Sequence, residues 1–354
     1  MDETAFRELI SGNRRGIVAS LLRSGLRILA PLYGLGVGVR NRCFDFRLKP
    51  IHKAPAPVVS VGNITTGGTG KTPFVAYLAH WFREKNIRVV LLSRGYRAQP
   101  GEANDEKLVL DQLCPGVPHL QNPNRVESAR HACRAHHAEV LILDDGFQHR
   151  RLARDLDIVL IDALNPWGYG HLLPRGLLRE PPSSLRRANL VVLTRADQCS
   201  QQRKQEIIDR IQSLRSDSAH VEVAYLPQRL IDSRGETAPL DSLVGKRVTA
   251  FCGIGNPHSF QQMLTKAGFL LEPESFRTFP DHHHYTPDEL TSLGLSASHH
   301  QSDAILTTQK DLVKIHAANL AGCPLWSVQI GTKIRHGNDL LERQLEAVLS
   351  SVAQ

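Results

Sequence analysis

The residues with the clearest chemistry form a glycine-rich run, Val-Val-Ser-Val-Gly-Asn-Ile-Thr-Thr-Gly-Gly-Thr-Gly-Lys-Thr-Pro, at positions 58–73. An apolar segment, Val58 to Val61, precedes the glycines, and a stretch with helical apolar spacing, Phe74 to Phe82, follows them. A strand, a glycine-rich turn and a helix in this order form a phosphate-binding loop, because the glycines let several backbone N–H groups point at one anion. The sequence therefore predicts that this chain binds a nucleoside triphosphate.

Two residues of the loop have a specific expected role. Lys71 would reach the β- and γ-phosphates, and the Thr72 hydroxyl would bind Mg²⁺. The usual consensus has a glycine where this chain has Thr65, and an ordinary glycine-rich turn is the alternative interpretation. The strand before the loop and the helix after it favour phosphate binding. The residues predicted to bind the nucleotide are Thr65, Thr66, Gly67, Gly68, Thr69, Gly70, Lys71 and Thr72.

An acidic pair follows the apolar run at 139–143. Asp144 and Asp145 stand where acidic residues face a phosphate loop, so one could hold Mg²⁺ and the other could position the metal or a nucleophile. Capping of the next turn or helix is the alternative. Gln148 and His149 lie within reach of the same crevice, and their roles stay open.

Two arginines are candidates for phosphate or substrate binding. Residues 168–181 are rich in glycine and proline, which predicts an ordered loop. Arg179 and Glu180 in this loop could supply a phosphate-binding cation and a metal-binding carboxylate, although an Arg-Glu pair is more often a solvated surface pair. Arg94 follows another apolar run, at 88–93, in a turn at the same predicted sheet edge.

Three consecutive histidines, His282 to His284, form the other conspicuous cluster. Neighbouring side chains on a strand alternate faces, so the three cannot all converge on one metal, and no further ligands stand at the spacing of a zinc site. A histidine oriented by a carboxylate and active in proton transfer fits better, with plain loop residues as the alternative. The polar loop Asn104-Asp105-Glu106 could supply a carboxylate to the same crevice.

The distribution of apolar runs predicts an α/β fold. The runs at 88–93, 139–143, 157–162 and 189–194 alternate with helix-like segments, as in parallel strands covered on both faces. We expect a P-loop NTPase-like parallel sheet domain and a second, smaller α/β domain. The predicted divisions are an N-terminal segment at 1–42, a kinase domain at 43–226, a linker at 227–246 and a C-terminal domain at 247–354.

The composition narrows the class of partner. The 354 residues carry a formal net charge of +8, so an anionic partner is expected. No basic motif interleaved with aromatic residues and no helix-turn-helix pattern stands out, so we expect no nucleic-acid partner. Six cysteines without paired spacing indicate reduced thiols rather than a disulfide framework or a zinc site.

The N terminus suggests a membrane surface as a further partner. Residues 16–39 are mostly apolar, but Arg23, Arg27 and Pro31 interrupt them. Each arginine would cost about 2.5–3.5 kcal/mol at the centre of a bilayer, which argues against a simple span. We expect an amphipathic helix that lies in the membrane interface, with its arginines on anionic headgroups. The alternative is a helix packed on the protein's own core.

Several of these segments together resemble one family, the tetraacyldisaccharide 4′-kinases of lipid A biosynthesis. They occur in the order found in the family and span most of the chain, and Thr65 is itself typical of the family. The matching segments are Val61–Pro73, Ser93–Arg97, Asp144–His149, Leu172–Pro174, Leu178–Glu180, Phe279–His282 and Thr308–Asp311.

The resemblance implies a kinase at the cytoplasmic face of the inner membrane of Gram-negative bacteria. It would transfer the γ-phosphate of ATP to the 4′-hydroxyl of an acylated glucosamine disaccharide 1-phosphate and so form lipid IVA. It also implies a catalytic pair, Asp105 and His282, which we expect to come from the two different domains. The metal and phosphate side falls on Lys71, Thr72, Asp144, Asp145, Arg179 and Glu180.

The chain departs from the family pattern at two places. It has Asn104-Asp-Glu-Lys107 where the family commonly has Gly-Asp-Glu-Pro, and Pro174-Arg-Gly-Leu177 where the family favours Pro-Ala-Gly-Pro. The first change keeps the acidic pair, and the second alters the loop expected near the acceptor. The alternatives are a soluble P-loop kinase of a small sugar or nucleotide, and a GTP-dependent switch or metal-insertion protein.

Overall fold

A computed structural model of the chain describes residues 3–95, 104–215 and 219–350. Tyr96 and Arg97, which belong to the predicted turn after Arg94, lie outside them. The α-helices are α1 (Glu3–Ser11), α2 (Ile17–Asp45), α3 (Lys71–Glu84), α4 (Asp105–Leu113), α5 (Arg125–Ala135), α6 (Gln201–Leu214), α7 (Pro257–Lys266), α8 (Pro287–His299), α9 (Gln309–Leu312) and α10 (Asn338–Ser350). The strands are β1 (Val58–Asn63), β2 (Val89–Ser93), β3 (His119–Gln121), β4 (Val140–Asp144), β5 (Leu156–Asp162), β6 (Leu190–Thr194), β7 (His220–Ile231), β8 (Thr237–Ala238), β9 (Val248–Cys252), β10 (Phe276–Thr278), β11 (Ala304–Thr308), β12 (Asn319–Leu320) and β13 (Cys323–His336).

The described residues divide into two compact units. Unit 1 comprises those within Met1–Tyr96, Gly116–Ala224 and Lys333–Gln354, and unit 2 comprises those within Arg97–Pro115 and Tyr225–Thr332. In unit 1 the strands lie in the order β3-β2-β4-β1-β5-β6-β7, and all neighbouring pairs are parallel. The long apolar runs are buried as expected for such strands, because helices cover both faces of a parallel sheet.

The position of β1 within unit 1 decides where the site lies. Its neighbours are β4 and β5, and Val61 is in register with Asp144 at the end of β4. The loop after β1 and the acidic pair after β4 therefore emerge side by side at the carboxyl edge of the sheet, where ligands bind in open α/β folds.

Unit 2 has its own smaller parallel arrangement. The strands β10, β9, β11 and β13 are neighbours in this order and are parallel, while β12 pairs with β13 and β8 with β7 in antiparallel fashion. One apolar cluster includes Phe251, Phe279 and Ile305, and another includes Ala250 and Leu264. Successive residues of β9 thus contribute to different clusters, which is the alternation expected of a strand packed on both faces.

The units differ from the predicted domains in three segments. The segment that contains α4 belongs to unit 2, so Asp105 and His282 lie in the same unit, contrary to the expectation that they come from different domains. The last helix, α10, belongs to unit 1, where Leu341, Leu345 and Val348 are buried. The predicted linker at 227–246 belongs to unit 2 and contains residues 227–231 of β7 together with β8.

The N-terminal apolar region forms α2, which contains Pro31 in its interior. Ala19, Ala30, Asn41 and Phe44 are the buried positions of this helix. Six of its exposed large apolar residues recur at spacings of three, four or seven, which places them on one side of the helix: Ile17, Leu21, Ile28, Leu32, Leu35 and Val39. Val18, Leu22 and Leu29 are also exposed. Among the described residues, no helix has the length and apolar character needed to cross a membrane.

Candidate active site

The phosphate loop has the backbone geometry predicted from its glycines. Residues 64–70 connect β1 to α3. Gly67 and Gly70 have φ angles of 104° and 83°, in the region that favours glycine, and the turn they form brings the chain to the N-terminus of α3 at Lys71. Gly67 and Gly68 are exposed, so a ligand can approach the backbone of the loop.

Side chains from neighbouring elements fix the shape of this loop. Asn63 Nδ2 donates to Thr69 Oγ1 at 3.0 Å, and Thr194 Oγ1 donates to the Thr69 carbonyl at 3.0 Å. Arg195 Nη2 donates to the Gly68 carbonyl at 2.8 Å. The carbonyl groups of Gly68 and Thr69 are therefore bonded within the protein. This arrangement suits a loop that binds anions with its N–H groups.

The glycine- and proline-rich segment at 168–181 packs on the same loop. The backbone N–H of Thr66 donates to the Leu177 carbonyl at 2.8 Å, and that of Arg179 donates to the Ile64 carbonyl at 2.7 Å. These two bonds hold the backbone at Arg179 beside the phosphate loop, and its role as a phosphate-binding cation stays a prediction.

Asp145 is the centre of the charges at this site. Arg179 Nη1 lies 2.8 Å and 3.0 Å from the two carboxylate oxygens, and Lys71 Nζ lies 3.5 Å from Oδ1. Desolvation by the surrounding protein alone would raise the pKa of Asp145, but Lys71 and Arg179 lower it well below its usual range. The φ angle of Asp145 is 52°, an uncommon backbone conformation of the kind often found at functional sites.

Asp144 and Thr72 complete the set of oxygen donors. Asp144 is the last residue of β4 and is buried, and Thr72 is the second residue of α3. Hydroxyl and carboxylate oxygens are the ligands that Mg²⁺ prefers in proteins. The donor set that Thr72, Asp144 and Asp145 offer beside the loop is therefore chemically suited to this ion.

A buried arginine that the sequence interpretation missed also belongs to this site. Arg125 is the first residue of α5 and is 6% exposed. Burial lowers the pKa of Arg125 to about 10. The charge of Arg94 also lowers this pKa, whereas the charges of Asp145 and Asp144 raise it, so the guanidinium is electrostatically coupled to the acidic pair. The sequence position of Arg125, just after β3 at the carboxyl edge of the sheet, could have identified it as a site residue.

Gln148 and His149 have structural environments that differ from each other. Gln148 Nε2 donates to the Asn63 carbonyl at 2.9 Å and so braces the end of β1. Burial lowers the pKa of His149 to about 3, and the nearby Arg125 and Arg154 add to that effect. His149 is therefore a neutral imidazole at physiological pH.

Unit 2 contains the second group of predicted residues. His282 Nδ1 lies 3.1 Å from Asp105 Oδ2. Asp105 is held at the start of α4, where Asn104 caps the helix by accepting from the Lys107 N–H at 3.0 Å. Desolvation alone would raise the pKa of Asp105, but the hydrogen bond with His282 and the charge of Lys314 lower it. The pair is thus an ionised carboxylate that orients an imidazole.

Two lysines that follow β11 lie beside the Asp105–His282 pair. Lys310 Nζ lies 3.1 Å from His282 Nε2 and 2.8 Å from Asp281 Oδ1. Lys314 Nζ lies 3.7 Å from Asp105 Oδ2. An ammonium group can only donate, so Nε2 of His282 accepts and the ring proton is on Nδ1, facing Asp105.

The three consecutive histidines point to different partners. His283 Nε2 lies 2.9 Å from Glu289 Oε2, and His284 is exposed. Among the three, His282 is therefore the one beside Asp105, as the resemblance implied.

Comparison with known proteins shows the family of the chain. A family model described as Tetraacyldisaccharide-1-P 4′-kinase matches residues 22–350. The chain belongs to the tetraacyldisaccharide 4′-kinase family. Relatives named tetraacyldisaccharide 4′-kinase include that of Halothermothrix orenii, which is 39% identical over 341 residues, or 88% of each chain. That of Anaeromyxobacter sp. (strain K) is 38% identical over 360 residues, 96% of this chain and 94% of the relative.

A solved structure of the same family has the same fold. The crystal structure of LpxK from Aquifex aeolicus in complex with ATP matches with a TM-score of 0.73 at 30% identity, over 92% of this chain and 99% of that chain. The predicted α/β architecture of a tetraacyldisaccharide 4′-kinase is thereby confirmed.

Glu180 has different surroundings from those expected of a metal ligand. Its carboxylate is fully buried, and it accepts from Asn41 Nδ2 at 2.8 Å, Arg187 Nη2 at 2.9 Å and Arg40 Nη2 at 3.4 Å. Desolvation alone would raise the pKa of Glu180, but Arg187 and Asn41 lower it. Because both oxygens are engaged and two cations surround them, we infer that Glu180 anchors α2, in place of the predicted metal-binding role.

Glu180→Gln should therefore destabilise the fold without changing the dependence of activity on metal concentration. Removal of one partner of a buried ion pair costs about 3 kcal/mol, because it leaves the other charge uncompensated. The pKa of Glu180 is lower in the folded state than its unfolded value of 4.5, so its contribution to stability is complete above that pH and is lost as the pH falls below it. Denaturant unfolding at several pH values measures this difference.

The matched control is Glu206→Gln, since Glu206 is about half exposed and pairs with Arg203 on the surface. We expect a change within about 0.5 kcal/mol for this control. An unchanged stability of Glu180→Gln, or a raised requirement for Mg²⁺, would restore the metal-binding role.

Proposed function

We infer that this chain transfers the γ-phosphate of ATP to the 4′-hydroxyl of tetraacyldisaccharide 1-phosphate and so forms lipid IVA. The single observation that carries this inference is the match of the family model across residues 22–350, which include both groups of predicted residues. The phosphate loop, its lysine and the acidic pair support the nucleotide half of the reaction. The carboxylate–histidine pair supports the acceptor half.

The residues of unit 1 would bind and neutralise the phosphates of ATP. Phosphoryl transfer depends on positioning and charge stabilisation more than on covalent catalysis. The loop would hold the phosphates through its N–H groups, and Lys71 would approach the β- and γ-phosphates. Lys71 and Arg179 both contact Asp145, and each would exchange part of that contact for a phosphate oxygen. Arg94 and Arg125 add positive charge around the same carboxylates.

Thr72, Asp144 and Asp145 would hold Mg²⁺ beside the loop, as the oxygen donors present there permit. A bound Mg²⁺ would neutralise charge on the β- and γ-phosphate oxygens. Asp145 would also keep Lys71 and Arg179 in place through its existing contacts with them.

The residues of unit 2 would remove the proton from the acceptor hydroxyl. Asp105 holds the Nδ1 proton of His282, which leaves the Nε2 lone pair as the base. The acceptor hydroxyl would take the place of the Lys310 ammonium group at Nε2, while Lys310 keeps its contact with Asp281.

The exposed side of α2 would bind the cytoplasmic face of the bacterial inner membrane. An acceptor with four acyl chains stays in the bilayer, so the kinase has to work at that surface. The apolar stripe of α2, defined as Ile17, Leu21, Ile28, Leu32, Leu35 and Val39, is 51–82% exposed. Such a stripe can enter the interface between headgroups and acyl chains while the rest of the protein stays in water.

Replacement of four residues of the apolar stripe by serine should lower the partition coefficient on anionic vesicles by about 100-fold or more. Each leucine or isoleucine contributes about 1.5–3 kcal/mol when it leaves water. Because these side chains are exposed in the protein, the fold should not change. Sedimentation with vesicles measures the effect for the variant that combines Leu21→Ser, Ile28→Ser, Leu32→Ser and Leu35→Ser.

Leu295→Ser is the matched control, since Leu295 is 62% exposed on α8 of unit 2. We expect its vesicle binding to equal that of the wild type. If Leu295→Ser loses as much vesicle binding as the fourfold variant, or if the fourfold variant binds vesicles as well as the wild type, α2 is not the membrane-binding element.

Transfer of labelled phosphate tests the proposed function. The protein is incubated with the lipid disaccharide in mixed detergent micelles and with ATP that carries ³²P in its γ-phosphate. We expect label in the lipid only when acceptor and protein are both present. Equal labelling of a small soluble sugar or nucleotide, or hydrolysis of GTP without transfer, would favour the alternative functions.

A further inference from the structure

Asp311, the last residue of the family-matching segment Thr308–Asp311, has no role in the account above. The segment consists of the last residue of β11 and the first three residues of α9, in unit 2. The exposed fraction of Asp311 is 0%. Because a buried carboxylate loses its hydration, it needs donors within the protein, and these donors indicate what the carboxylate holds in place.

Among the described residues, four hydrogen-bond donors contact the Asp311 carboxylate. Oδ2 accepts from the backbone N–H of Gly253 at 3.0 Å and from Thr308 Oγ1 at 2.6 Å. Oδ1 accepts from the Tyr285 hydroxyl at 2.9 Å and from Lys314 Nζ at 3.2 Å. The bond with Thr308 closes the local turn at the start of α9, whereas Gly253 and Lys314 both lead to the carboxylate–histidine pair.

Lys314 connects Asp311 to the carboxylate of the pair. Its ammonium group lies 3.2 Å from Asp311 Oδ1 and 3.7 Å from Asp105 Oδ2. The same oxygen of Asp105 lies 3.1 Å from His282 Nδ1. The Lys314 side chain is only 6% exposed, so the two carboxylates rather than water compensate its charge. Asp311 therefore fixes the cation that faces Asp105.

The backbone of Gly253 connects Asp311 to the imidazole of the pair. The Gly253 carbonyl accepts from the backbone N–H of His282 at 3.3 Å, while its own N–H donates to Asp311. A Cβ atom at position 253 would lie 2.9 Å from the Pro280 carbonyl oxygen and 3.0 Å from Asp311 Oδ1, so this close approach requires glycine. His282 has a φ angle of 64°, a conformation that persists only where the surroundings hold it. Asp311 thus supports the backbone that presents the imidazole.

We propose that Asp311 is a positioning residue for both members of the carboxylate–histidine pair. Its contacts with Lys314 and Gly253 lead separately to the carboxylate and to the imidazole, so one buried group fixes their relative placement. The proposal rests on the proposed function, because it gives Asp311 a part in removing the proton from the acceptor hydroxyl. A misplacement of about 1 Å in such a pair can cost about 10²-fold in rate.

Asp311→Asn tests the proposal, because the amide keeps the size of the side chain and removes its charge and one acceptor oxygen. We expect kcat to fall about 10–100-fold. KM for ATP should stay within about twofold of the wild-type value, as expected for a residue that acts on proton removal. In a His282→Ala background the same change should cause little further loss, since Asp311 acts only through the pair. An equal loss in both backgrounds would refute the proposal.

Asp232→Asn is the matched control. Asp232 is another buried carboxylate of unit 2, 2% exposed. It accepts from the backbone N–H groups of Arg234 and Glu236 and from the Arg234 side chain, each at 2.9 Å. The control therefore removes a similar buried charge at the turn between β7 and β8, which carries no member of the pair. We expect wild-type kcat. A loss of turnover as large as in Asp311→Asn would overturn the proposal.

Lys314→Gln is the second variant and keeps the proposal testable if Asp311→Asn fails to fold. Burial raises the pKa of Asp105, and the charge of Lys314 is among the effects that lower it. Without this cation the pair should take up a proton at higher pH, so the acidic limb of kcat/KM should move up by about one pH unit. Lys310 and Asp281, which face the other side of the imidazole, stay in place. Lys314→Arg should restore the limb, and an unchanged limb in folded Lys314→Gln would refute the proposal.

A measurement without turnover separates this proposal from the proposed function. In protein with ¹⁵N-labelled histidine, the ring signals of His282 are assigned by their absence in His282→Ala, and their shifts identify the nitrogen that carries the proton. We expect the proton on Nδ1 in the wild type, facing Asp105, and a mixture of both forms in Asp311→Asn. An unchanged spectrum in folded Asp311→Asn refutes the positioning role. The expected change, together with no phosphate transfer by the wild type, supports that role and refutes the proposed function alone.

Discussion

Lys71→Ala should lower kcat by about 10²–10³-fold, the range found when one preorganised electrostatic contact with a transition state is removed. Lys71 begins α3 at the end of the phosphate loop, and we expect its ammonium group to neutralise the charge that develops on the β- and γ-phosphates. The fold should persist, because Asp145 keeps both contacts with Arg179 at 2.8 Å and 3.0 Å. Single-turnover phosphate transfer and thermal unfolding measure the two effects separately.

Lys85→Ala is the control for the Lys71 variant. Lys85 lies at the opposite end of α3 and is 42% exposed, so its loss removes a lysine from the same helix far from the loop. We expect wild-type turnover in this control. Near-normal turnover in Lys71→Ala would contradict the assignment of residues 64–71 as a phosphate-binding loop. A large loss of thermal stability would show that the variant loses activity because it unfolds.

His282→Ala and Asp105→Ala should each lower kcat by about 10²–10⁴-fold, the usual contribution of a positioned proton acceptor. The affinity for ATP should change little, because neither side chain is assigned to the nucleotide. Local structure should survive the loss of Asp105, since Lys314 keeps its partner Asp311 at 3.2 Å. Steady-state kinetics with saturating ATP measure kcat.

The double variant decides whether Asp105 and His282 act as one unit. If the carboxylate works only by orienting and charging the imidazole, removal of both should cost little more than removal of either one. Losses that multiply would show independent roles. His283→Ala is the control, because His283 bonds to Glu289 rather than to Asp105, and it should retain wild-type turnover.

The sequence predicted the elements of unit 1 that depend on local patterns. The apolar runs at 88–93, 139–143, 157–162 and 189–194 correspond to β2, β4, β5 and β6. A buried parallel strand needs a continuous apolar run, so its signal is contained in a few consecutive residues. The phosphate loop was equally predictable, because left-handed φ angles at Gly67 and Gly70 require glycine.

Features that depend on long-range packing could not be predicted from such patterns. The short α4, with Asp105 at its start, lies between β2 and β3 in sequence, yet it packs on α9 in unit 2. The local sequence of the nine residues of α4 does not determine which hydrophobic core the helix packs on. The C-terminal α10 likewise joins unit 1, although the chain reaches it from unit 2.

Long-range packing also explains why the sequence interpretation missed Arg125 and expected Glu180 to bind metal. Arg125 reaches the acidic pair only because β3 and β4 end at the same sheet edge. Glu180 follows Arg179 directly, but its carboxylate turns to Asn41 and Arg187 rather than to the phosphate loop. An Arg-Glu pair does not encode the direction of each side chain, which the packing of α2 determines.

The position of the transferred phosphate tests the central claim most directly. The lipid product made from ATP and tetraacyldisaccharide 1-phosphate can be isolated, and two-dimensional ¹H–³¹P NMR can identify the sugar proton coupled to the new phosphorus. We expect a single new phosphomonoester, coupled to the proton at position 4′, and no such product with Lys71→Ala or His282→Ala at matched times. A new phosphate at another position, or ATP consumption without a phosphorylated lipid, would contradict the assignment of this chain as a tetraacyldisaccharide 4′-kinase.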